Sequence, residues 1–474
     1  MSRMRRLKRD CLMSCVLLAL EAGLQGCSYF SPAETLPATV PVPETWSATR
    51  SVPEASVRPW LSEIGDSELQ ALVEEALSRN PAIRSLIAGV AVADDQAWLD
   101  WSAFWPQLTG GFRSSRNQRN NAAGFAVSPR PVNNFGFNLD FLWEIDLWYR
   151  LGNELEASLH EKTAAEADLQ AARLSLAANI AKTWFDAITA RQLLSLAERT
   201  IENYGRTLEI VEQGYDKGLY QALDLRLARQ NVLSAQQRRE NVLRSLDETT
   251  RSLESLLGRY PGADLKTPEQ LPVFDKPLPD SVPAGLLRRR PDIVAAGERF
   301  RATDQRLLKA RKNMLPTIQL TGSVGTSTKK LEEVFNPENL IWNLAGSLTQ
   351  PLFHGGQLFA ERSQAEGRVE KAAADYAQVV LQAFKEVETA LAAEQRYKNQ
   401  EALLRAEVVE AKEAERLAEL DYLSGLIDIV TLLEAQRRAL DAESSRLDMS
   451  RQYLHNRINL YLALGGPVLE SDEL

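Results

Sequence analysis

Residues 136–148, GFNLDFLWEIDLW, change character at almost every step. Phe137, Leu139, Phe141, Trp143, Ile145 and Leu147 fall on one side of an extended chain, and Asn138, Asp140, Glu144 and Asp146 on the other, because successive strand side chains point to opposite faces. The stretch 341–353 repeats the pattern in weaker form, with Trp342, Leu344 and Leu348 against Asn343, Ser347 and Thr349. The stretches before them, 107–115 and 317–325, alternate too, through Leu108 and Phe112 and through Ile318, Leu320 and Val324. An aromatic face opposite a face bearing carboxylates suits a barrel wall with lipid outside and water inside. An amphipathic sheet covering a soluble core is the competing reading.

The remaining sequence is helical in composition. Residues 151–213 and 359–420 contain no proline and almost no glycine, and are rich in strong helix formers. Each predicts a helix of roughly 90–95 Å, longer than ordinary domains use and suited to coiled-coil or helical-barrel packing. The runs break at Gly214–Gly218 and at Ser424-Gly425, then continue as 219–257 and 426–464. Shorter helices are expected over 80–104 and 290–315. The proline-rich stretch 259–285 reads as a side excursion between 219–257 and 290–315, with those two helices stacked end to end.

One pattern is written twice, and such self-similarity precedes any fold assignment. Asn80-Pro81-Ala82-Ile83 matches Arg290-Pro291-Asp292-Ile293, and Pro106 matches Pro316, at an offset of 210. YDKGLYQALDLRLARQ (215–230) matches YLSGLIDIVTLLEAQR (422–437) at 207, with Tyr215/Tyr422, Gly218/Gly425 and Ala228/Ala435 in step. Each copy orders a helix, two strands and two long helices. The domain reading is 1–26 leader, 27–79 N-terminal segment, 80–258 first repeat, 259–289 excursion, 290–465 second repeat and 466–474 tail.

Four strands cannot close a barrel, and a bilayer does not tolerate open sheet edges. Strands that face lipid must therefore be shared among copies: two give eight strands, three give twelve. The polar connections 116–134 and 326–340 are expected at the exterior.

The first residues change the picture again. Arg3, Arg5, Arg6, Lys8 and Arg9 precede an apolar run, Cys11–Leu20, and then small residues lead to Cys27. That is the order of a secretory signal, with an apolar run too short to span a bilayer. Leu24-Gln25-Gly26-Cys27 resembles a bacterial lipobox, which implies cleavage before Cys27 and a diacylglycerol plus an N-acyl chain on it. Cys11 and Cys15 leave with the leader, so no disulfide is expected within the mature chain. Of 55 basic and 64 acidic residues the leader removes five and two, leaving a net charge of −12. That acidity argues against nucleic acid as a partner.

Together, LLRRRPDI (286–293), WEIDLWYR (143–150), QPLFHGG (350–356), the lipobox and the paired turn motifs resemble the outer membrane factor family. These are the TolC-like efflux proteins, and the lipoprotein branch is the nearer one. The resemblance covers essentially the whole mature chain. It implies a mixed α and β membrane protein: a homotrimer sharing a 12-stranded barrel continuous with a periplasmic helical barrel. It also implies a periplasmic membrane-fusion adaptor, an RND-type inner membrane pump and no cofactor beyond the lipid. The helix turns around Gly218, Leu219, Gly425 and Leu426 correspond to adaptor-docking tips. The tip helices correspond to a closing gate, in which Asp224 pairs with Tyr422. Thr431 and Glu434 occupy the positions of an acidic ring, and Ile427 stands where the family pattern has an arginine. On this reading three Glu434 carboxylates converge, and Glu434→Ala or Tyr422→Phe raises conductance.

Enzyme chemistry finds little support. His160, His354 and His455 are scattered with no metal-ligand spacing. After cleavage only Met314 and Met449 remain, which speaks against a methionine relay for copper or silver. Two alternatives stay open: a type I protein-secretion duct, and a lipid-anchored periplasmic scaffold without a pore. The flanking Trp101, Trp105, Trp143, Trp148 and Trp342 favour a lipid-facing belt over the scaffold.

Overall fold

A computed structural model describes residues 60–118, 131–272 and 289–466; the leader and Cys27 lie outside them. After two short helices, α1 (Trp60–Ile64) and α2 (Ser67–Arg79), come α3 (Pro81–Ser102), β1 (Gln107–Asn117), β2 (Val132–Ile145), α4 (Arg150–Asp216) and α5 (Ala222–Leu256). The second copy follows as α6 (Pro291–Lys312), β3 (Thr317–Thr326), β4 (Leu340–Thr349), α7 (Gln357–Leu423) and α8 (Ile429–Ala463). Corresponding helices have equal lengths: 22 residues in α3 and α6, 67 in α4 and α7, 35 in α5 and α8. The duplication read from scattered matches is thus a duplication of elements. No described helix is long and apolar enough to cross a membrane.

The chain forms two compact units. One holds Gly89–Glu166 and Ala295–Ala377 and contains the sheet. Its four strands are antiparallel in the order β1-β2-β3-β4. Leu108, Phe141, Gly322 and Leu344 stand opposite one another in turn, as do Phe112 with Phe137, and Leu139 with Val324 and Trp342. The period-two pattern of each strand therefore merges into one apolar face, and among the described residues the outer sides of β1 and β4 are unpaired edges. Below the strands the helices are joined by ion pairs: Lys162–Asp94 at 2.7 Å, Lys309–Glu154 at 2.7 Å and Arg306–Glu161 at 2.8 Å.

The second unit includes Ala167–Val294 and the chain from Gln378. Trp184, fully buried, donates its Nε1–H to Asp66, which also caps α2. Tyr461 donates to Glu63 at 2.6 Å and its ring stacks on Trp60. These bonds tie the N-terminal segment to α4 and α8. The start of the excursion is held by one acid. Glu254, 3% exposed, accepts from the backbone N–H groups of Ala263, Asp264 and Leu265 at 2.7, 2.8 and 3.0 Å. Burial works against its charge, but the three donors outweigh burial and hold the carboxyl below its ordinary value. Glu254→Gln leaves one acceptor oxygen for three donors and is expected to cost about 2 kcal/mol. Protease sensitivity across 259–272 should rise. The native carboxylate's contribution is complete above the unfolded carboxyl's titration, and disappears as pH falls through the lowered native one.

The end-to-end stacking differs from the sequence expectation. Asn80 donates its side-chain amide to the Leu256 carbonyl at 2.8 Å, so α5 ends against the start of α3. Arg290 donates to the Ala463 carbonyl at 2.9 Å, so α8 ends against the start of α6. Each short helix thus meets the other end of its own repeat, whereas the sequence reading joined 219–257 to 290–315. Adjacency along the chain suggested that pairing. The last-turn carbonyls at each helix end need donors, and the repeat places a polar side chain before Pro81 and Pro291 to supply them.

Candidate functional site

Two regions carry the residues singled out by the sequence. In the first unit, β2 and its register place Asn138, Asp140 and Glu144 on the polar face, opposite Gly325, Ser323 and Gln319. Asn138 donates to Asp140, and Glu144 pairs with Arg150 at 2.6 Å. Asp146 does not join them. The strand ends at Ile145, and Asp146 accepts from the N–H groups of Arg150 and Gly152 at 2.6 and 2.9 Å, capping α4. A carboxylate there satisfies orphan donors and favours the positive end of the helix. The rest of WEIDLWYR fixes the same junction. Trp143 donates to the Phe104 carbonyl at 2.8 Å and Trp148 to the Pro316 carbonyl at 2.7 Å.

In the second unit the two turns between long helices have the same geometry. Gly218 and Gly425 adopt φ +74° and +71°, a left-handed conformation that an L residue adopts only with strain. Leu219 donates to the Gly214 carbonyl and Leu426 to the Asp421 carbonyl, each at 2.8 Å. This is the six-to-one bond that ends a helix with a left-handed cap. Leu219 and Leu426 are left 72% and 74% exposed, which makes a pair of apolar tips.

The polar gate residues fall differently from the expectation. Asp224 accepts from the Gln221 N–H at 2.9 Å, capping α5. Thr431 is its counterpart in the second repeat, but there the bond runs the other way, from the helical position to the capping residue. Asp428 accepts from the Thr431 N–H and hydroxyl at 2.8 and 2.7 Å. The expected Asp224–Tyr422 hydrogen bond is not made. Tyr422 is 4% exposed, and its hydroxyl has no hydrogen-bond partner among the described residues. Burial first, and then the neighbouring Tyr220 hydroxyl and the Asp224 charge, push that hydroxyl above its ordinary pKa.

Glu434 is not a lone carboxylate either. It accepts from Arg437 at 2.8 Å and from Arg438 at 2.8 Å, and these guanidinium groups hold its carboxyl below the ordinary value. Arg437 also meets Asp441 at 3.3 Å. Glu434, Arg437, Arg438 and Asp441 sum to zero charge. Reading a concentrated negative ring from Glu434 alone overlooked cations three and four positions on, where helix neighbours meet. Ile427 packs against an apolar cluster of Val211, Ala228, Tyr422, Ile429, Leu432 and Leu433.

His160 lies 2.6 Å from Glu298 and His455 lies 3.1 Å from Asp186, each a single acidic partner.

A family model described as outer membrane efflux protein matches residues 72–259 and 282–466, one segment in each repeat. The chain is 31% identical to outer membrane protein OprJ of Pseudomonas aeruginosa over 462 residues, covering 96% of this chain and 95% of that one. It is 28% identical to the cation efflux system protein CusC of Escherichia coli, covering 95% of this chain and 97% of that one. Among solved structures, the open state of the MtrE outer membrane channel of Neisseria gonorrhoeae superposes with a TM-score of 0.81 at 28% identity. That match covers 94% of this chain and 99% of the channel.

Proposed function

The chain belongs to the outer membrane efflux protein family, and from that membership we propose that it is the outer membrane exit duct of a tripartite efflux system. It conducts small molecules passively from a periplasmic adaptor and an RND-type inner membrane pump to the exterior. The observation that carries the reading is the sheet. Four strands share one apolar face and end in two unpaired edges, an arrangement that lipid admits only when copies close it. Three copies give a barrel of twelve strands, with Asn138, Asp140 and Glu144 turned to water in its lumen. The exposed Leu219 and Leu426 tips are the surface for the adaptor. Cys27 carries the lipid as a second attachment beside the barrel. No reaction is assigned to the chain.

Planar bilayers test the reading directly: the purified lipoprotein should insert as a heat-modifiable trimer and pass ions. Deleting its gene should lower resistance to small toxic compounds. Loss of a secreted polypeptide with resistance intact would favour the secretion duct instead. Cys27→Ser behind a cleavable signal should still give membrane-embedded trimer. A wholly soluble product would show that the strands do not span, and the scaffold reading would stand.

A further inference from the structure

The two tips meet through an aromatic contact in which Tyr422 takes part by its ring and not by its hydroxyl. Tyr220, the residue after Leu219, stacks its ring on Tyr422 with centroids 5.5 Å apart and planes 16° from parallel. The seat for Tyr220 is cut by Gly214, where a Cβ would overlap the ring. Around the pair, Val211 and Ala228 from the first repeat face Ile429, Leu432 and Leu433 from the second, with Leu225 and Ile427 against them.

The repeat makes the arrangement informative. Gly214, Tyr215 and Tyr220 correspond to Asp421, Tyr422 and Ile427. Tyr215 is 42% exposed, whereas its counterpart Tyr422 is buried. The two copies of the turn therefore do not pack symmetrically. The first lends an aromatic ring and a cleared seat, and the second receives that ring. Meanwhile the acids that could form polar links are engaged elsewhere, Asp224 and Asp428 on helix caps and Glu434 on two arginines.

We propose that Tyr220, seated by Gly214 against Tyr422, is a latch holding the second-repeat helix pair to the first, so that opening of the periplasmic aperture separates an apolar aromatic contact. The proposal rests on the exit-duct reading. Tyr220 is a positioning residue that acts through Tyr422. Separating the rings exposes apolar surface, and the ion pairs that also join the two helix pairs, Arg199–Glu443 at 3.1 Å and Arg238–Asp441 at 3.6 Å, do not involve them, so the part of closure lost with the ring contact should be insensitive to screening by salt.

The test is single-channel recording of the full-length lipoprotein trimer at low and high KCl. Tyr220→Ala should raise mean conductance several-fold at both salt concentrations, and Tyr220→Phe, which keeps the ring, should conduct as the wild type does. Tyr422→Phe should also stay closed, because it removes only an unpartnered hydroxyl; the polar-link expectation has the opposite sign. Gly214→Ala leaves both rings present but fills the seat, and should open the channel as Tyr220→Ala does. It keeps the proposal falsifiable if Tyr220→Ala fails to assemble. Wild-type conductance in both Tyr220→Ala and Gly214→Ala, or opening by Tyr422→Phe, would overturn the latch while leaving the duct intact. Failure of the wild type and all variants to pass ions would overturn the duct reading, and the latch with it.

Discussion

Arg290→Ala is expected to destabilise the folded chain by about 2–3 kcal/mol. The Arg290 side chain is 8% exposed and links the start of α6 to the end of α8 and to Glu386 of α7. Its guanidinium grips Asp292 through two nitrogens at 3.0 and 2.7 Å, meets Glu386 at 2.8 Å, and donates to the Ala463 carbonyl at 2.9 Å. Burial opposes its charge, but the two carboxylates outweigh burial and raise its pKa. Alanine would leave a helix-end carbonyl without its donor and two acids beside each other. The acids are 40% and 39% exposed, so water screens part of their repulsion, and the cost stays below that of a wholly buried pair. Arg290→Lys should fall between, since one ammonium cannot reproduce the forked contact. Asn80→Ala, at the equivalent joint in the first repeat, removes two neutral bonds, one to the Leu256 carbonyl and one from the Ala82 N–H, and should cost about 1–2 kcal/mol. Thermal unfolding of the detergent-solubilised protein reads all three. Equal effects of Arg290→Ala and Asn80→Ala would mean that the charge network adds nothing to the carbonyl bond.

The same joints show how far the sequence could be read. Strands and long helices were legible because they rest on local causes: alternation, absence of proline, left-handed glycines at fixed positions. The strand ends were not, since Asp146 continues the alternation of 136–148 yet turns to cap α4. Period two cannot tell the last residue of a strand from the first acceptor of a helix. The crossing of the stacked helices was equally hidden. It depends on contacts between residues more than 170 positions apart, Asn80 with Leu256 and Arg290 with Ala463, and nothing in the spacing of either motif names its partner. The aromatic latch lay between these cases. Tyr220 stands in the quoted turn motif and Gly214 immediately before it, but the repeat comparison directs attention to matched positions, and these two are where the copies differ.

Glu434→Ala is expected to shift the channel's ion preference toward anions. In the single chain the Glu434 carboxylate neutralises Arg437 and Arg438, and Asp441 supplies the second negative charge of the group. Removing Glu434 makes the local charge more positive by one unit per chain, and by three in the trimer proposed above. A ring of like charge within about 10 Å of an ion path changes local counter-ion concentration severalfold at moderate salt. The reversal potential under a KCl gradient should therefore move in the anion-selective direction, and the shift should shrink as salt is raised. Glu434→Gln should give the same shift, because the effect is one of charge and not of bulk. Arg438→Ala should shift it the other way, and the double change Glu434→Ala with Arg438→Ala should return to the wild-type value. Conductance alone would not separate these outcomes from a loosened gate, whereas the sign of the reversal potential does. An unchanged potential in Glu434→Ala would place the side chain off the ion path. The residues governing selectivity would then lie on the polar face of the sheet, where Asp140 and Glu144 stand.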